Sequence, residues 1–179
     1  MRNEIFNELK ETFDELIQIV SCVSEKELNK VPFEESWTAA QVAEHLLKSY
    51  GIVELLNTPQ FRTERPADEK KGQLKDFFLN FSLKAKAAPA ILPSENLIDK
   101  EKLLNSLKKR IAEIKEVAQT KDLTEVCESI VLPVFGALTK LEWLYLVLYH
   151  TRRHIHQIKI IFQTLKTNKN ESSKSLSEF

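Results

Sequence analysis

The chemistry available to this 179-residue chain rests on four histidines, three of which are clustered: His150, His154 and His156. His150 and His154 stand one helical turn apart within Leu138 to Lys166, a stretch with no proline or glycine. Side chains at i and i+4 on a helix are neighbours, so a His-x-x-x-His pair presents two imidazole nitrogens to one metal ion. His156 lies about 200° around the helix from His154 at roughly 100° per residue, which assigns it to another face and to the surface. The fourth histidine, His45, sits far upstream. If it joins the pair, three imidazoles hold one ion and leave positions open, as in catalytic rather than structural sites.

Two elements must position these groups. The final one opens with Thr139 and Glu142, a Thr-x-x-Glu capping box. Trp143, Val147, His150, His154, Ile158, Ile161 and Leu165 then recur at helical spacing and form one inward stripe. The other element begins at Thr38, where Thr38 and Gln41 form a second capping box, and its pattern continues to Pro59. His45 falls in its apolar stripe with Val42, Leu46, Ser49, Val53 and Leu56. Burying an imidazole among leucines is costly unless its nitrogens find partners. Two readings meet that demand: a shared metal, or core histidines each bonded to a carboxylate such as Glu44 or Glu142.

The remaining chain supplies a scaffold. A first amphipathic helix is expected from about Asn3 to Val23, with Ile5, Phe6, Leu9, Phe13, Leu16, Ile17 and Val20 inward. Asp99 caps another, whose stripe is Leu103, Leu104, Leu107, Ile111, Ile114 and Val117. A short helix is expected over about 68–83. Four connections complete the pattern: 24–36, where Phe33 and Trp37 are expected over the bundle end, 58–71, a polar loop with two prolines, 85–98, placed across the mouth, and 120–136, read as a turn-bearing loop. Phe61 and Phe135 read either as an interface or as tucked inward. The fold class that follows is all-α, a four-helix bundle with long crossover connections over residues 1–166, and the polar segment 167–179 is expected to be a disordered tail.

Composition narrows the partners. Twenty-six basic and 26 acidic residues cancel, which recommends neither nucleic acid nor an anionic membrane. No run is long enough to span a bilayer, and the N-terminus shows no apolar signal core. Cys22 and Cys127 are isolated and read as reduced thiols buried as small hydrophobes, so a cytoplasmic setting is expected.

Taken together, Trp37-Thr-Ala-Ala-Gln41-Val-Ala-Glu-His45-Leu, Val134-Phe-Gly-Ala-Leu-Thr-Lys-Leu-Glu-Trp143 and Tyr149-His150-Thr-Arg-Arg-His154-Ile-His-Gln157 closely resemble the DinB-like proteins, the DinB/YfiT superfamily of metal-dependent enzymes. The resemblance extends from the first helix to about Lys166. It implies a four-helix bundle with a divalent metal, zinc or nickel foremost, on three histidines that correspond to His45, His150 and His154. It also implies a small-molecule substrate and, from members that use low-molecular-weight thiols, S-transferase chemistry beside hydrolysis. Some members form homodimers, which makes a homodimer an expectation. An uncompensated ion acidifies a bound water or thiol, so one scaffold serves either reaction. Gln157 and Glu44 are candidates to orient the histidines, and Arg152 and Arg153 to bind an anionic cosubstrate. The alternative reading is a non-catalytic helical module, stress-associated or for assembly, with structural histidines.

Overall fold

Apolar residues at helical spacing form the four long elements of the protein, seen in a computed structural model that describes residues 1–84 and 86–175, with side chains through Asn168. Helix α1 (Arg2–Ser21) buries Ile5, Leu9, Phe13, Leu16 and Val20. A single turn, α2 (Glu25–Leu28), follows, capped reciprocally by Ser24 and Glu27. Helix α3 (Ala39–Ser49) starts at the expected box: Gln41 N donates to Thr38 Oγ1 at 3.1 Å and Thr38 N to Gln41 Oε1 at 2.9 Å.

The helical pattern to Pro59 is not one rod. It breaks into a 3₁₀ turn over Tyr50–Ile52 and a short helix α4 (Val53–Leu56). Gly51 sits inside the break, where its missing side chain weakens the helix. Strand β1 (Phe61–Arg62), helix α5 (Lys71–Phe78) and the long α6 (Lys100–Thr120) come next, α6 capped by Asp99 through Lys102 N at 2.9 Å. Every residue of the expected α6 stripe is buried. Helix α7 (Lys140–Ser175) is the spine of the molecule. It packs against α1, α3 and α5, while α1 and α3 also pack against α6. Four long elements around one apolar core make the expected four-helix bundle.

The loop expected over 120–136 is instead mostly strand. β2 (Glu125–Leu132) and β3 (Gly136–Thr139) form an antiparallel hairpin, and β1 pairs with β2 to give the order β1-β2-β3. The hairpin register shifts between Cys127 and Val131. Gly136, at φ 68°, supplies the left-handed residue at the turn. β3 runs straight into α7, and the junction is tied down by Glu142. Its carboxylate accepts from Thr139 N at 2.9 Å, Lys70 N at 2.8 Å and both Arg65 terminal nitrogens at 2.7 and 2.6 Å. Beside it Lys70 Nζ donates to the carbonyls of Phe135 and Ala137, at 2.6 and 2.8 Å.

At the other end, helical backbone continues to Ser175, into the segment expected to be a disordered tail; residues 176–179 lie outside the described residues. No proline or glycine stops the helix, Thr167 Oγ1 bonds back to Gln163 O at 3.2 Å, and Asn168 Nδ2 reaches Pro32 O at 3.3 Å. Phe61 is exposed and Phe135 is buried. Among the described residues no helix is long and apolar enough to cross a membrane.

Candidate metal centre

Helices α3 and α7 run antiparallel, with Tyr50 Oη 2.7 Å from Thr151 Oγ1 and Lys140 Nζ 2.9 Å from Thr58 O. That pairing sets His45 opposite His150 and His154. The three side chains meet: His45 Nε2 lies 3.2 Å and His154 Nε2 2.9 Å from His150 Nε2. One donor atom from each lies within 4.8 Å of the others. His45 and His154 are buried, and His150 is half-buried.

Outer hydrogen bonds decide which nitrogen faces the cluster. A carbonyl oxygen only accepts, so His45 Nδ1 carries the proton that it donates to Ile91 O at 2.8 Å. His154 Nδ1 donates in the same way to Gln157 Oε1 at 2.8 Å. Both Nε2 atoms therefore aim lone pairs at His150. A single proton on His150 Nε2 satisfies one of them and leaves the other facing a nitrogen, whereas a cation between them satisfies all three. Tetrahedral bonds of about 2.0–2.1 Å place ligand nitrogens about 3.3 Å apart. The observed 2.9 and 3.2 Å spacings fall just inside that value. The donor set fits a divalent transition ion, for which neutral imidazole is suited.

Burial keeps the cluster in its binding form. It lowers the pKa of His45, against the Ile91 carbonyl that favours the cation. His154 falls to about 4, first from burial and then from His45 nearby. His150 lies well below the ordinary value, from burial and then from both neighbouring histidines. All three are neutral at pH 7.

Several neighbours are not where the sequence suggested. Glu44 bonds Ser94 N at 2.6 Å and Lys48 at 3.6 Å rather than His45. It pins the 85–98 connection, whose Ile91 carbonyl does the orienting. Arg152 pairs with Glu8 at 3.0 Å, and Arg153 donates to the carbonyls of Phe78, Asn80 and Leu83. Glu8 thus neutralises the Arg152 guanidinium, whereas Arg153 is anchored by uncharged carbonyls and lines the same cavity as the cluster. His156 is outside the cluster, as expected, but it is half-buried rather than at the surface, stacked on Phe81 with centroids 4.1 Å apart and lining the same cavity.

The cluster lies in the wall of a cavity of about 1510 Å³ whose lining is largely apolar. The Phe78 ring meets His150 edge-on at 5.5 Å, and Trp37 lies 5.3 Å from His45. Phe77, Phe78 and Phe135 form an aromatic wall with centroids 5.1 to 6.3 Å apart. A sequence signal for the hairpin that carries Phe135 did exist: Val126, Ile130 and Val131 enrich that stretch in β-branched residues ahead of Pro133 and Gly136. The carbonyl of Ile91 had no such signal, since any residue offers one.

The sequence model of the DinB superfamily matches residues 8–158. The chain is 26% identical over 166 residues to YuaE, an uncharacterised protein of Bacillus subtilis (strain 168), covering 90% of this chain and 98% of YuaE. Its fold is similar to that of YfiT from Bacillus subtilis, described as a probable metal-dependent hydrolase with an unusual four-helix bundle topology. That match has a TM-score of 0.58 and 19% identity, and covers 92% of this chain and 87% of YfiT.

Proposed function

The chain belongs to the DinB superfamily, and from that premise we propose that it is a metal-dependent enzyme acting on a small molecule. His45, His150 and His154 hold the divalent ion, zinc or nickel, through Nε2. The observation that carries this reading is three neutral imidazoles converging, two with their outer nitrogens already committed, beside an apolar cavity. An ion so held supplies Lewis acidity, acidifying the water or thiol that takes its remaining positions.

The chain's own residues contribute orientation and a dry setting. Ile91 O and Gln157 fix two imidazoles, and Trp37 and Phe78 flank the cluster with apolar surface. Among the described lining residues Glu54 is the one carboxylate, and it is paired with Arg110 at 2.7 Å. No second carboxylate of the lining stands ready as a general base. A thiol and a water would each lose one proton on the ion to become the nucleophile, so the site serves transfer of a thiolate to an electrophile as well as hydrolysis, and the superfamily members that use low-molecular-weight thiols put transfer first. Metal content of the purified protein tests the reading against His150→Ala. The expected result is about one ion per chain in the parent and loss in the variant, with turnover of a low-molecular-weight thiol plus an electrophile falling in parallel. Equally low metal in both overturns it.

A further inference from the structure

The cavity extends well beyond the histidines. Along α7 its lining runs from Trp143 to Ile161, about 27 Å at 1.5 Å per residue, with the cluster near the middle. Its volume of about 1510 Å³ exceeds the range of roughly 300–1,000 Å³ usual for small-ligand pockets. The half between Trp143 and His150 is walled by Ile52 and Leu55 on one side and by Phe77, Phe78 and Phe135 on the other. Gly51 lines this half too, and a Cβ built there meets nothing within 4 Å. The space in front of that glycine is therefore open.

We propose that this half is an acyl-length tail pocket, so that the substrate carries an unbranched apolar chain attached directly to the group that reacts at the histidines. The proposal rests on the metal-centre reading for where the head group sits, but not for the pocket itself. From Trp143 to His150 is seven residues, or about 10 Å along the helix. An extended chain advances roughly 1.2 Å per bond, so about eight carbons fill the arm. The lining accounts for selectivity: Glu54 is committed to Arg110 and the Trp143 Nε1 donor is, among the described residues, the one buried lining group without a partner, so a charged tail gives up more hydration than this half returns, whereas an apolar tail gives up little. Phe135, stacked against Phe77 and Phe78 and held through its carbonyl by Lys70, completes the aromatic wall, and the Trp143 end of the lining sets the length.

Straight-chain hydroxamates from acetyl to dodecanoyl supply a metal-seeking head with a variable tail. Both tryptophans of the chain, Trp37 and Trp143, line the cavity, so their fluorescence reports binding. In the metal-loaded protein affinity should rise about fourfold per methylene up to about eight carbons and then level off. Gly51→Phe should move the break to shorter chains while acetohydroxamate binds as before. Gly51→Leu, with less added bulk, should move it less and guards against a folding defect in the first variant. Affinity that is flat with chain length, or a break that neither variant shifts, overturns the tail pocket. Failure of acetohydroxamate with the length trend intact strikes the metal centre and leaves the pocket supported; loss of both overturns both.

Discussion

Replacing Gln157 with leucine should weaken metal binding without unfolding the protein. Gln157 is one turn beyond His154 on α7, and its Oε1 accepts the His154 Nδ1 proton at 2.8 Å. Leucine keeps the bulk and the helix propensity and deletes the acceptor. His154 is only 8% exposed, so water substitutes poorly, and the stranded N–H costs about 1–3 kcal/mol. Part of that cost is avoided in the metal-free variant. There the imidazole moves its proton to Nε2 and donates it across 2.9 Å to His150, a tautomer that cannot ligate. Metal binding has to reverse this shift. Loss of an outer hydrogen bond to a ligating histidine typically weakens binding roughly 10- to 100-fold, about 1.4–2.8 kcal/mol. Competition against a chelating dye, in zinc and in nickel, measures it. His156→Ala, whose ring stacks on Phe81 outside the cluster, serves as the control and should bind metal as the parent does. Parent-like affinity in Gln157→Leu, or an equal loss in the control, would refute the tautomer argument.

Other perturbations have clear signs. The metal-free protein should lose stability on acidification. The His154 pKa of about 4 lies below the unfolded value of about 6.5, so the folded state holds fewer protons, and its contribution, complete above pH 6.5, disappears as pH falls towards 4. The loss from His154 is on the order of 3 kcal/mol, and denaturant midpoints at neutral and acid pH should show it; equal midpoints would contradict the burial of a neutral ring. Glu142→Gln should destabilise the β3–α7 junction by about 3 kcal/mol, since it breaks a carboxylate held by Arg65 at 2.6 Å with 0% of its side chain exposed, and thermal melting reads this directly. In the native protein an alkylating reagent should label exposed Cys22 and spare Cys127, which is buried and whose thiol burial pushes up to about 11; equal labelling by mass spectrometry would contradict the hairpin packing.

The bundle and the histidine set were legible because both rest on periodicity. Leu103 to Val117 in α6 and Trp143 to Leu165 in α7 declare their faces at helical spacing, and Asp99 and Thr139 mark their starts through side chains with a defined reach. His45 could be joined to His150 only through the inward stripes of two helices distant in sequence. Groups that act through the main chain were not legible: the Ile91 carbonyl that fixes His45, and the Phe78, Asn80 and Leu83 carbonyls that occupy Arg153. The arginines flanking the histidines in sequence suggested an anion site, but whether a guanidinium is free depends on what the fold brings beside it.

One departure from the sequence pattern falls in the wall of the cavity. From Thr38 to Pro59 the apolar spacing describes one continuous helix, yet the backbone tightens into a 3₁₀ turn at Tyr50–Ile52 and resumes as a separate short helix. Tyr50 stays fully buried at that point, bonded through Oη to Thr151 on α7. The break therefore does not come from loose packing. A regular side chain in place of Gly51 would favour the α-helix locally and fill the space in front of it, so one residue both interrupts the rod and leaves the cavity open. Apolar periodicity yields where the chain has to make room, and such conflicts between levels are expected at functional sites. The histidines decide what the site can do, and the break beside them decides how much of a ligand can follow its reactive group inside.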